Sequence, residues 1–175
     1  MAPETISGGP AGAPAVALVV GGTGAGKTTF AARFAGDVGG LLVSIDDWVD
    51  TLYASDKPPE PGFDWYMERI GRIETQIRAV AGRLVALAVP VLLDLGFTAR
   101  AHRAAWIAWA RELGAEPWIY YVDVPADQRW RRVEQRNRDR GSTYRLDVNR
   151  GMFDFMEARF EPPTADEAPL ARVTS

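Results

Sequence analysis

The sequence predicts an α/β fold in three layers, a mostly parallel five-stranded sheet with helices on both faces. Three observations predict it. Apolar runs at residues 15–20, 41–45, 91–93 and 118–124 have the length and composition of buried strands. Stretches of helical composition and periodicity separate most of these runs, and that alternation builds a parallel sheet covered on both sides. The first run leads straight into Gly21-Gly22-Thr23-Gly24-Ala25-Gly26-Lys27-Thr28-Thr29, which fits G-x-x-x-x-G-K-[ST], the phosphate-binding loop.

Residues 1–14 are rich in Ala, Gly and Pro, with no basic start, and read as a flexible tail rather than a signal peptide. Residues 15–175 read as a single domain. Ala15 to Val20 is the first strand, and Thr28 to Phe34 begins the first helix. Leu41 to Ile45 is a second strand ending at Asp46-Asp47. Residues 51–62 hold Pro58, Pro59 and Pro61 and read as a loop. From about Asp64, Ile70, Ile73, Ile77, Val80, Leu84 and Leu87 recur at three- and four-residue steps, so one helical stripe faces the sheet until Pro90 stops it. Val91-Leu92-Leu93-Asp94 is the third strand. Thr98 caps a helix to about Leu113, which Gly114 ends. Trp118 to Val124 is the fourth strand, and Pro125 opens an Arg-dense helix. Asn149 to Phe160 is helical, and Leu170 to Val173 completes the sheet.

Glycines let the loop backbone close into a nest of N–H groups that a Cβ would block. The helix behind it adds its positive end. Gly22, Thr23, Gly24, Ala25, Gly26, Lys27, Thr28 and Thr29 are therefore the expected nucleotide-binding residues. Lys27 reaches the β- and γ-phosphates, and the Thr28 hydroxyl ligates Mg²⁺. Nothing in the sequence separates ATP from GTP. The fold is thus that of a P-loop NTPase.

Composition narrows the rest. There are 175 residues, no cysteine and a formal net charge of −3. Disulfides and thiolate catalysis are excluded, and no global attraction to nucleic acid exists. No apolar run approaches a membrane span, and a cytoplasmic location is expected. Lys27 and Lys57 are the only lysines.

In a parallel sheet, ligands bind at the carboxyl ends of the strands. That rule gathers the loop, Asp46-Asp47 and Asp94 on one edge. One of Asp46 and Asp47 is a candidate base for an acceptor hydroxyl, because neighbours on a strand face opposite ways. Asp94, after an apolar run, either holds Mg²⁺ or bonds loop amides. Arg129, Arg131, Arg132, Arg136, Arg138, Arg140 and Arg145 crowd one stretch. Arg132, Arg136 and Arg140 would share a helix face. We expect a lid over about 129–145, turning at Gly141, that brings Arg136 and Arg140 onto the phosphates; the other arginines are expected at the surface.

With these residues in place, the chain resembles the small P-loop kinases around the kinase half of polynucleotide 5′-hydroxyl kinase, with zeta toxin and chloramphenicol phosphotransferase as distant relatives. The resemblance runs from Ala15 to Phe160. It rests on Gly21 to Thr28, Ile45-Asp46-Asp47-Trp48, Asp94, Asp123-Val124-Pro125, Arg136-Asn137 and Arg140-Gly141. It implies Asp46 as catalytic base, Arg140 on the transferred phosphoryl group and Arg136 near the nucleotide. The polynucleotide enzymes carry an arginine after the Asp pair that grips the substrate's phosphate, and Val49 stands there in this chain. That loss, with the acidic balance of the chain, disfavours a nucleic-acid acceptor. The phrase Phe160 to Glu167 resembles one in small bacterial ATP-binding proteins of AAA type and says nothing of the substrate.

Trp48, Tyr53, Trp65 and Tyr66 either line a pocket for a flat acceptor or fill the core under the loop. His102 is expected at the surface, and Trp106 and Trp109 as packing residues. The expected function is transfer of a γ-phosphoryl group from ATP or GTP to a hydroxyl of a small-molecule acceptor. A nucleotide-dependent switch or ATPase without an acceptor is the alternative, then a nucleic-acid 5′-hydroxyl kinase.

Overall fold

The computed structural model describes residues 5–140 and 147–174. Its strands are β1 (Thr5–Ser7), β2 (Val16–Val20), β3 (Leu41–Ser44), β4 (Val91–Asp94), β5 (Trp118–Val122) and β6 (Leu170–Thr174). They lie in the order β1-β6-β5-β2-β4-β3. Every pairing is parallel except β1 with β6. The sheet thus has six strands where five were expected. The additional one comes from the segment expected as a tail, where Ile6 registers with Val173. A sheet edge offers unpaired N–H and C=O groups, and a short chain segment can satisfy them without a hydrophobic signature of its own. Residues 1–4 of that segment lie outside the described residues.

The helices are α1 (Lys27–Val38), α2 (Ile45–Tyr53), α3 (Phe63–Ala86), α4 (Arg100–Glu112), α5 (Ala126–Asp139) and α6 (Arg150–Glu157). Alternation along the strands divides the core in two. Val16, Leu18 and Val20 of β2 pack with Ile73 and Ile77 of α3 and Trp106 and Ile107 of α4. Ala17 and Val19 face the other way, toward Phe30, Ala31 and Ala35 of α1. Both faces of β2 are covered, which is why its five residues are all apolar. Each large aliphatic side chain buried this way stabilises the fold by about 1.5–3 kcal/mol.

Three local expectations are corrected. Asp46 and Asp47 do not end a strand. The strand stops at Ser44, whose hydroxyl accepts the Asp47 N–H, and both acids occupy the first turn of α2. Acids are favoured there by the helix dipole, so a cap and two carboxylates turned the expected loop after residue 50 into helix through Tyr53. In α3 the buried stripe is Ile73, Ile77 and Ala81, and Leu87 lies past the helix end, exposed.

The third correction concerns α4. Thr98 does not cap it. The first turn starts at Arg100, whose N–H donates to Glu161 Oε2 at 2.5 Å. One turn on, Arg103 is completely buried. It donates to both carboxylate oxygens of Glu167, at 2.7 and 2.9 Å, and to the carbonyls of Phe97 and Glu161. The segment from Glu161 to Glu167 is therefore a strap that caps α4 and neutralises its buried cation. His102, expected at the surface, is half buried between Glu74 Oε1 (2.7 Å) and the Trp106 indole N–H (3.2 Å).

Burial pushes the Glu167 carboxyl up, but hydrogen bonds from Arg103 and the Thr164 N–H override it and leave it below its ordinary value. A depressed carboxyl stabilises the fold above its unfolded-state pKa, and that contribution is lost as pH falls through the folded value. Removing one partner of a buried pair leaves the other uncompensated. Glu167→Gln is predicted to lower the unfolding free energy by roughly 3–5 kcal/mol at neutral pH. In urea titrations, the gap between variant and wild type should narrow as pH falls below the carboxylate range.

Candidate active site

The strand order β5, β2, β4, β3 arranges the carboxyl edge. Beyond these strand ends lie, in turn, α5, the glycine loop, Asp94 and α2. A cleft of about 770 Å³ runs along this edge. The loop and Asp94 form its floor. Arg132, Val133 and Arg136 of α5, with Met152 and Met156 of α6, wall one end. Asp46 and Tyr53 of α2, with Trp65 and Tyr66 of α3, wall the other.

The loop has the conformation its glycines permit. Gly24 and Gly26 hold φ of 78° and 93°, where a side chain is strained. Gly26 stands before α1, and no side chain caps this helix. Its leading amides are left for a ligand, as at a phosphate-binding helix end. The Thr28 hydroxyl donates to Asp94 Oδ2 at 2.7 Å. Lys27 Nζ lies 3.4 Å from the Gly22 carbonyl. Burial pushes the Asp94 carboxyl above its usual range. Lys27 and the Thr28 hydrogen bond oppose that rise, and Asp46 and Asp47 add to it. Asp94 therefore sits where a cation would relieve it. Thr28 and Asp94 supply hard oxygen donors, which fit Mg²⁺ completed by water and phosphate oxygens. No larger cluster of acidic, His or Cys ligands exists among the described residues.

Sequence reasoning missed the group that shapes this loop. Arg129, expected at the surface, is buried. Its Nε donates to the Val124 carbonyl at 2.8 Å and its Nη1 to the Thr23 carbonyl at 3.2 Å. Its Nη2 pairs with Glu157 of α6 at 2.6 Å. Arg132 adds a bond to the Ala25 carbonyl at 3.2 Å. A Cβ at Gly22 would fall 2.3 Å from the Arg129 guanidinium, and one at Gly24 would fall 2.5 Å from the Arg129 carbonyl. Two loop glycines are thus needed because α5 presses on the loop from behind. The available signal was Arg129 four residues after Pro125, on the first turn of a helix that begins beside the loop.

Of the expected nucleotide-binding residues, Thr23 to Thr29 line the cleft, and Gly22 is buried under Arg129. Asp46 lines the cleft, while Asp47 is not among the lining residues. Arg136 also lines it, with a buried Nε that has no hydrogen-bond partner among the described residues. Arg140 is not among the lining residues, although its N–H still bonds the Arg136 carbonyl at 2.9 Å. It lies just past the last turn of α5 with a left-handed φ of 46° and pairs with Asp147 at 3.3 Å. The left-handed residue ends the helix there. The Gly141 turn and Arg145 of the expected lid lie outside the described residues. Among the aromatics, Tyr53, Trp65 and Tyr66 reach the cleft, and Trp48 packs against the core.

A phosphate nest on β2, an adjacent β4 ending in Asp94, and the Thr28–Asp94 bond define a P-loop nucleotide-binding domain of the kinase-like type. The AAA_33 family model, an AAA domain, matches residues 16–163, and the chain belongs to that family. None of the curated proteins compared with it matches its sequence. Solved structures share the fold at low identity. A protein of Chloroflexus aurantiacus provisionally described as a kinase superposes with a TM-score of 0.72 at 16% identity, over 93% of this chain and 88% of that one. Chaetomium thermophilum Kti12, in complex with ADP-AlF3, gives 0.66 at 17%, over 91% and 88%. A gluconokinase from Sinorhizobium meliloti gives 0.62 at 16%, over 93% and 83%. No helix among the described residues is long and apolar enough to cross a membrane.

Two outcomes test this geometry. Gly24→Ala is expected to weaken ATP at least about tenfold, or ~1.4 kcal/mol, by calorimetry, because the new Cβ meets backbone that cannot rotate away. Asp94→Asn removes a buried charge, so its melting temperature without ligand should equal or exceed that of the wild type. Its magnesium-dependent gain in ATP affinity should be lost. In the wild type that gain should fade on acidification at a higher pH than an ordinary carboxylate would dictate, since protonation of a raised-pKa acid removes the metal's ligand.

Proposed function

We propose that the protein is an ATP-dependent kinase, transferring the γ-phosphoryl group to a hydroxyl of a small-molecule acceptor. One observation carries the reading. The phosphate nest, the Thr28–Asp94 pair and Asp46 line one cleft of about 770 Å³, which Tyr53, Trp65 and Tyr66 also line. A hydrolase or switch needs the first two but no carboxylate aimed past the phosphates. Family membership and a fold shared with proteins named as kinases support the same conclusion.

In this mechanism the loop amides and Lys27 hold the β- and γ-phosphates. Thr28 and Asp94 would hold Mg²⁺, which when bound would supply positive charge to the β- and γ-phosphates. Asp46 is exposed on the first turn of α2 and accepts the proton of the acceptor hydroxyl as that oxygen attacks phosphorus. Arg136 lines the cleft and would offer its positive charge to the phosphoryl oxygens. Arg140, implied by the resemblance to polynucleotide 5′-hydroxyl kinase, would join it by breaking its pair with Asp147, a closure of the α5 lid.

Asp46→Asn is the test. ATP affinity should stay within about twofold, while acceptor phosphorylation falls by roughly 10²–10⁴-fold, the usual contribution of a general base. Nucleotide turnover that persists at wild-type rate without any acceptor, in both proteins, would instead favour an ATPase.

A further inference from the structure

The acceptor end of the cleft is chemically unlike the nucleotide end. Asp50 lies one turn beyond Asp46 on α2, roughly 6 Å along the axis, and both line the cleft. Tyr53, Trp65 and Tyr66 complete this wall, and among the described residues Lys57 is the only cation lining it. The rings are fixed in place. Trp65 meets Tyr66 edge to face at 5.1 Å and Tyr53 at 6.5 Å. The Arg69 guanidinium lies 3.9 Å over the Trp65 ring and donates to the Trp65 carbonyl. Lys57 lies 5.6 Å over the Tyr66 ring. The surrounding chain is acidic. Between residues 46 and 69, seven acids and two bases leave a formal −5, in a chain whose total is −3.

Resting on the kinase reading above, we infer that the acceptor is a ring-bearing alcohol without any acidic group, and that Asp50 binds it. The ring stacks on the aromatic wall, as sugars and heterocycles do. The reacting hydroxyl lies at Asp46. A second donor of the acceptor, hydroxyl or ammonium, is held by the Asp50 carboxylate one helical turn away. A phosphate or carboxylate on the acceptor would enter a field dominated by acids, met only by exposed Lys57 and by Arg69, whose guanidinium is already stacked on Trp65 and paired with Glu68 at 3.5 Å. Transfer makes the bond from the acceptor oxygen to Pγ, breaks the bond from Pγ to the bridging oxygen of ADP, and moves the hydroxyl proton to Asp46.

The full chain is incubated with γ-labelled ATP, magnesium and a small-molecule metabolite extract, and the products are separated by charge. Label is expected in simple phosphate monoesters, undiminished when the extract is first dephosphorylated. With the purified acceptor, Asp50→Asn and Tyr66→Ala should each raise KM about tenfold or more, with kcat far less affected and ATP affinity unchanged. Labelled product that carries a second anionic group, or that vanishes after dephosphorylation, overturns the inference and leaves the kinase standing. An unchanged acceptor KM in Asp50→Asn overturns the role of Asp50. No labelled product at all, with ATP still bound, removes the kinase reading and the inference together.

Discussion

The pressure of α5 on the glycine loop is the constraint on which the site depends. The helix lies so close that its own backbone oxygen stands where a Cβ of Gly24 would be. Arg129 then converts proximity into geometry, because its nearly buried guanidinium holds the carbonyls of Val124 and Thr23 together. The carbonyls of Thr23 and Ala25 are thereby turned toward the arginines of α5. The buried charge requires a partner, and Glu157 supplies it from α6. One ion pair thereby ties the nest to α5 and α6, the two helices that wall the nucleotide end of the cleft.

Much of this was legible in the chain. The apolar runs located β2 to β5, because strands inside a sheet covered on both faces are largely apolar. The motif located the nest, because only glycine tolerates both the positive φ and the close approach of a neighbour. What stayed hidden was long-range polar pairing. Arg103 and Arg129 look like any arginines on charged helices, and periodicity carries no information about a carboxylate 64 residues away. The acids at 46 and 47 were placed correctly on the edge but on the wrong element, since Asp after an apolar run fits a strand end as well as a first helical turn. The Ser44 cap decides between them.

The cleft is polarised along its length. Lys27, Arg132 and Arg136 stand toward α5, and Asp46 and Asp50 stand on α2. Asp94 lies between, and its raised pKa records the balance, with burial first, a cation on one side and two acids on the other. Such a gradient favours a polyanion at one end and excludes it from the other. A nucleotide in this cleft would be oriented by the charges of its walls alone.

The strap from Glu161 to Glu167 bears on how the chain matures. Helix α4 emerges from the ribosome with a cation destined for the interior, some 64 residues before the carboxylate that neutralises it. Until translation reaches Glu167, packing Trp106 would draw an uncompensated guanidinium out of water. The central layers of the nascent domain should therefore lock late, and a chaperone would meet a chain whose α4 remains undocked until its last strand is nearly made.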